Sequence, residues 1–158
     1  MKDAGQNTIL IINGPNLNLL GRRQPHIYGI ETPQDIVDKV ADSVPADVKI
    51  EYKQSNHEGD IVTWIQQAGF DTQGRYLGII LNAGAYTHTS LAIADAIAAI
   101  PLPVIEVHIS NIHNREEIRH KSLIAPVCRG SVVGLGSYGY VMAADWLVNN
   151  PTRTLLPI

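Results

Sequence analysis

The 158-residue chain has one cysteine, Cys128, and one phenylalanine, Phe70. A single cysteine excludes an internal disulfide framework and suits a reducing compartment. No apolar run is long enough to span a bilayer, and the opening stretch "MKDAGQNT" is too polar to read as a signal peptide. A surplus of basic charge is also missing. Twelve Lys and Arg stand against 15 Asp and Glu, a formal net charge of -3. That balance offers no electrostatic reason to expect nucleic acid or an anionic membrane as a partner. Charge runs, internal repeats, low-complexity tracts and Gly/Pro/Ser-rich linkers are absent. The expectation is one soluble, cytoplasmic domain over residues 1–158, with enough chain for a sizeable core.

What is present is a regular alternation of β-rich runs and amphipathic helical patterns. "TILIIN" (8–13) and "YLGIILN" (76–82) read as strands buried on both faces. "VKIEYKQS" (48–55) alternates, as an edge strand with one polar face does, and "PVIEVHIS" (103–110) and "GSVVGLG" (130–136) complete five strands. Between them, "TPQDIVDKVADSV" has Thr32 as N-cap, Pro33 at the first helical position and Asp35 three residues after the cap. Ser55 and Glu58 have capping-box spacing before "IVTWIQQAG", a helix ending near Gly69. "THTSLAIADAIAAI" reads as a helix buried on more than one side, "NREEIRH" as a short helix capped by Asn114, and "SYGYVMAADWLVNN" as the last helix. The class is α/β: a five-stranded parallel sheet with helices on both faces. In such sheets ligands sit beyond the carboxyl ends of the strands, at the switch in strand order.

Polar residues of the kind that perform chemistry follow strands 1, 3 and 4. After strand 1 comes "NGPNLNLLGRRQPHIYG", nearly twenty residues where about 2–6 is usual. A phenol is a poor base at neutral pH, and an adjacent guanidinium favours its phenolate. Tyr28 then reads as a base, with Arg22 or Arg23 holding it anionic, on a loop that closes as a lid. After strand 3 comes "NAGAYTHTS", with Asn82 at the strand end and His88 near a helix start, where free N–H groups favour a polar ligand. Asp95, seven residues on, falls on the same helical face as His88. The plain alternative is that Thr87 or Thr89 caps the helix and His88 is simply exposed. On strand 4, Glu106 and His108 are two apart and point to one face. A carboxylate beside an imidazole fixes its tautomer and favours the charged ring, which supplies a general acid. A structural polar pair, or a metal site with His113 and His120, are the alternatives, though no paired-ligand motif supports metal. Arg115 and Arg119 share a helical face and suit a carboxylate or hydroxyl-rich ligand, as does Ser110.

Taken together, "INGPNLNLLGRR", "HIYG", "QSNHEG", "LNAGAYTHTS", "IEVHISNIHNREE" and "GLGSYGY" resemble one family closely, the type II 3-dehydroquinate dehydratases. The matching pieces run in order from about residue 9 to 141. The resemblance implies a flavodoxin-like three-layer fold and dehydration of 3-dehydroquinate to 3-dehydroshikimate without metal or organic cofactor. It also implies a homododecamer built as a tetramer of trimers. By resemblance Tyr28 removes a C2 proton, Arg23 keeps that tyrosine acidic, and Asn16 supports the enolate through a water. His108 protonates the departing C1 hydroxyl and Glu106 orients it. Asn82, His88, Asp95 and Arg119 match substrate-binding positions, Ile109 and Ser110 the carboxylate site, and Arg115 a supporting position near the loop.

The chemistry is consistent with that assignment. An enolate that expels a β-hydroxyl needs a base, an oxyanion stabiliser and an acid, and the three segments offer one of each. No lysine precedes Lys121 in them, which argues against an imine route. One departure is Gln24, where many family members carry an acid, and it bears on rate more than on activity. The same reaction serves aromatic biosynthesis and quinate breakdown. The rival from another class is a flavodoxin-like binding module, but strand 1 is followed by neither an acidic pair nor a phosphate loop.

Overall fold

Five strands lie side by side and run the same way: β1 (Thr8–Asn13), β2 (Lys49–Gln54), β3 (Tyr76–Asn82), β4 (Val104–His108) and β5 (Gly130–Val133). The computed structural model describes residues 7–150, so the first six residues of the polar N-terminal stretch lie outside it. The strand order is β2-β1-β3-β4-β5, the flavodoxin-like order, which reverses between β1 and β3. Five α-helices accompany the sheet among the described residues: α1 (Pro25–Tyr28), α2 (Pro33–Ser43), α3 (Glu58–Gly69), α4 (Leu91–Ala98) and α5 (Tyr138–Asn149).

The period of two along a strand sends neighbouring side chains to opposite faces. Ile9, Ile11, Ile80 and Val107 therefore pack on one side, under Ile36 and Val40 of α2 and Tyr140 and Leu147 of α5. Leu10, Ile12, Ile79 and Leu81 pack on the other, under Ile61 and Ile65 of α3 and Ile93 and Ile97 of α4. Because both faces are covered, the central strands are apolar at almost every position. The alternating strand β2 does lie at an edge, and no residue of it is fully buried.

The helix starts divide into one that matches the sequence pattern and three that do not. The Thr32 side chain accepts from the Asp35 N–H while Asp35 accepts from the Thr32 N–H, closing the expected capping box on α2. At α3 the expected Ser55 box does not form. Ser55 Oγ donates to Asp60 and accepts from the His57 N–H, and His57 occupies the N-cap. At α4 neither Thr87 nor Thr89 caps. Residues Gly84–His88 form a separate 3-10 turn, and Ser90 caps α4 by accepting from the Ile93 N–H. His88 and Asp95 consequently do not share a helix face. "NREEIRH" is not a helix either. It is part of two 3-10 turns, Ile112–Asn114 and Glu117–Arg119, and the cap is Asn111, which accepts from the His113 N–H. The long loop contains the short helix α1, which the pattern did not predict, with Pro25 supplying a helical φ at its first position.

Candidate active site

The segments after β1, β3 and β4 converge at the carboxyl ends of those strands. Asn13 and Asn82 end β1 and β3 as register partners, at the switch in strand order. Just beyond them the two chain segments press together. A Cβ on Gly14 would lie 2.4 Å from the Ala83 carbonyl oxygen, so only glycine fits there. The Asn16 N–H donates to Asn56 Oδ1 at 3.0 Å, and Asn56 is itself held by Gln54 and through its carbonyl by the Tyr86 hydroxyl. The "QSNHEG" segment after β2 thus sets Asn16 in place, a function not apparent from its spacing.

One cavity is lined by Asn16, Arg23, Tyr28, Asn82, His88, His108, Ile109, Ser110, Arg115 and Arg119. These are nine of the eleven expected site residues together with Arg115. Glu106 lies directly behind the cavity. It is buried, and its Oε1 accepts from His108 Nε2–H at 2.5 Å. Its Oε2 accepts from Ser122 Oγ at 3.1 Å and Ser131 Oγ at 3.3 Å. The carboxylate has three donors, two of them serines that the sequence did not single out. With Nε2 committed to Glu106, Nδ1 is the His108 nitrogen left for a ligand. Asp95 does not line this cavity. It is exposed on α4.

Tyr28 rides on α1. Its hydroxyl accepts from Arg23 Nη2 at 3.3 Å and from Arg115 Nη1 at 2.9 Å. The Arg23 guanidinium also lies 4.4 Å from the centre of the tyrosine ring. Of the two candidates, Arg23 is the loop arginine that meets Tyr28, while Arg22 is exposed and outside the cavity. Arg23 also donates to Gln24 Oε1 at 3.3 Å, so the amide takes up a donor that a carboxylate would have received as charge. His88 Nδ1–H donates to the Lys121 carbonyl at 2.8 Å, and its ring stacks on His108 with centroids 6.4 Å apart. His120 Nε2–H donates to the Arg115 carbonyl at 2.7 Å. Arg119 pairs with Glu116 at 2.9 Å. Burial pushes the Cys128 thiol up, so it stays protonated and is no nucleophile.

Behind the cavity floor lie three further hydrogen-bonding groups. Tyr140 is fully buried on α5. Its hydroxyl donates to Asn13 Oδ1 at 2.8 Å and accepts from Asn82 Nδ2 at 3.0 Å. Asn13 Nδ2 makes a long contact of 3.4 Å to the Tyr52 hydroxyl. Tyr140 and Tyr52 were unreadable as polar partners from spacing alone, because each looks like one more core aromatic. Burial pushes the Tyr140 phenol up, which keeps its proton available as a donor.

Fold and cavity together define the class: an α/β enzyme with acid–base side chains at the switch point of a doubly wound sheet. Residues 7–148 match the family model for class II dehydroquinase. The chain belongs to that family. It is 53% identical over 144 residues to 3-dehydroquinate dehydratase 1 of Agrobacterium fabrum, covering 90% of this chain and 97% of the relative. It is 55% identical over 137 residues to the 3-dehydroquinate dehydratase of Halalkalibacterium halodurans, covering 86% and 92%. The crystal structure of the type II dehydroquinase from Butyrivibrio crossotus superposes with a TM-score of 0.83 at 48% identity, covering 90% of this chain and 97% of that one.

Proposed function

We infer that this chain is a 3-dehydroquinate dehydratase, a hydro-lyase that converts 3-dehydroquinate to 3-dehydroshikimate on the route to aromatic amino acids. The observation that carries the reading is a phenol bonded by two guanidinium groups in the same cavity as a carboxylate-backed imidazole. Tyr28, whose oxygen accepts from Arg23 and Arg115, acts as the base and takes a proton from C2 of the substrate. The C–H electron pair moves toward the C3 ketone and forms an enolate, which Asn16 supports through a water. The enolate collapses, the C1–O bond breaks, and His108 delivers a proton so that water leaves. The proton delivered is the Nδ1–H of the imidazolium, whose Nε2–H Glu106 accepts, and the ring is left as the neutral Nε2–H tautomer. Asn82, His88 and Arg119 hold the ring hydroxyls, and Ile109 and Ser110 the carboxylate. No step needs a metal or an organic cofactor.

The proposal extends to assembly and location. A homododecamer, as a tetramer of trimers in the cytoplasm, suits Asp95 and Leu91. They are exposed one turn apart on α4, outside their own chain's cavity. An aspartate there binds substrate only across a subunit boundary. No helix among the described residues is long and apolar enough to cross a membrane. Sedimentation of the purified chain tests the assembly, and a monomer would leave Asp95 without a role.

The activity itself is tested by adding 3-dehydroquinate to purified protein and following the ultraviolet absorbance of the conjugated enone. A rise is expected, and it should persist when enzyme and substrate are first treated with borohydride. A flat trace from folded protein overturns the reading. Inactivation by borohydride only when substrate is present would replace the enolate route with an imine.

A further inference from the structure

The buried Asn13–Tyr140–Asn82 chain has no part in the proton transfers, yet it touches the cavity at one end. Its direction follows from a single backbone group. The Gly84 N–H can only donate, and its acceptor is Asn82 Oδ1 at 3.2 Å. Nδ2 of Asn82 therefore faces Tyr140, whose oxygen must accept from it at 3.0 Å. The one proton of the phenol is then free to go elsewhere, and it goes to Asn13 Oδ1 at 2.8 Å. Every polarity is set, and every member is 3% exposed or less. Among the described residues, Asn82 Nδ2 donates to the Tyr140 oxygen alone, which leaves its second N–H for a ligand.

We propose that Tyr140 is a positioning residue: with Oδ1 of Asn82 held by the Gly84 N–H, the Tyr140 oxygen, aligned by Asn13, takes one N–H of the amide and fixes its plane so that the other N–H meets the ligand. The cavity thereby selects a hydrogen-bond acceptor, such as a ring hydroxyl oxygen, at that point of the substrate. Without the phenol oxygen the amide is held only at Oδ1, by the Gly84 N–H, and its Nδ2 end is no longer fixed. The inference rests on the reading that Asn82 binds substrate. Because that contact is made in the ground state and the transition state alike, its loss belongs in KM rather than kcat.

The test is a double-mutant cycle with steady-state kinetics and thermal melts. Tyr140→Phe should raise KM about tenfold, the size of one lost hydrogen bond, with kcat held within about twofold. In an Asn82→Ala background, Tyr140→Phe should not raise KM further, although it lowers Tm as it does in the parent. A purely structural Tyr140 would lower Tm in both backgrounds and leave KM alone, and that result overturns the proposal. So does a KM effect that simply adds to that of Asn82→Ala. If Asn82→Ala itself leaves KM unchanged, the substrate-binding reading of Asn82 fails and the relay falls with it. If Asn82→Ala raises KM while Tyr140→Phe does not, the relay alone fails. Should Tyr140→Phe not fold, Asn13→Leu removes the acceptor of the phenol proton and enters the same cycle. It should raise KM in the parent and not in Asn82→Ala. An unchanged KM in the parent overturns the relay.

Discussion

Tyr28 has one hydroxyl and two cations turned toward it, and the shorter bond is to Arg115 rather than to its loop neighbour Arg23. Two donors favour an anionic oxygen more than one does, and Arg115 is also anchored through its carbonyl to His120. Tyr28→Phe removes only the hydroxyl, so kcat should fall by roughly 10²–10⁴ while the unfolding curve stays in place. Turnover near that of the parent would remove Tyr28 as the base. Arg115→Ala should lower kcat by about 10²-fold. If kcat hardly changes, Arg23 alone suffices. That the polar side chains of the segments after β1, β3 and β4 would share one cavity was legible in the sequence, because each segment follows a strand that ends at the same crevice. The Arg115–Tyr28 bond was not, since the partners are 87 residues apart and spacing reports only neighbours on one element. Ser122 and Ser131 were hidden for the same reason. Ser131 meets Glu106 because β5 pairs with β4 in that register.

Local patterns decide elements only when their partners are local. The α2 cap was readable because Thr32, Pro33 and Asp35 complete it among themselves. The Ser55 cap was misread because an acid five residues on, Asp60, competes for its hydroxyl. The start of α4 was placed too early because "GAYTH" makes its own 3-10 turn before Ser90 caps. The strands were the most legible, since burial on two faces leaves a continuous apolar signature. The packing of one loop on another leaves a subtler trace, a glycine with no room. Gly14→Ala would push a Cβ to within 2.4 Å of Ala83 O and 2.6 Å of Ala83 C, backbone atoms that have no rotamer to yield. The change should destabilise the fold by about 1–3 kcal/mol and also lower activity, because Asn16 and Asn82 lie on the two segments forced apart. Gly59→Ala in the first turn of α3 is the control. Nothing lies within 4 Å of its Cβ, and its stability should stay level or rise by up to about 1 kcal/mol. Urea unfolding of both variants checks the pair. Equal stability would mean that the post-strand segments are not packed as described.

At the scale of the whole molecule, pH acts on two unlike populations of groups. At the acid end, Lys39 holds the Glu31 carboxyl below its ordinary value, and Arg75 does the same for Asp71. Depressed carboxylates contribute stability above their unfolded values near 4, and that contribution is lost as pH falls through the lower folded ones. These partners are near the surface, so salt at 1 M, with a Debye length of about 3 Å, should weaken the acid limb. At the alkaline end the groups are phenols. Burial raises Tyr52 and Tyr140, and burial together with a hydrogen bond to Glu51 pushes Tyr76 up to about 12. In the unfolded chain a tyrosine loses its proton near pH ~10. The folded protein therefore keeps protons that the unfolded chain releases. Stability is full below about pH 10 and declines as pH rises through the folded values. Melting curves from pH 8 to 11 should show Tm falling beyond about pH 10, by nearly the same amount in low salt and in 1 M NaCl, because the largest cause is desolvation rather than exposed charge. Tyr76→Phe should flatten that fall without moving the acid limb. A Tm that drops equally in the variant, or an alkaline limb that salt reshapes, would place the loss on surface lysines instead of on the buried phenols.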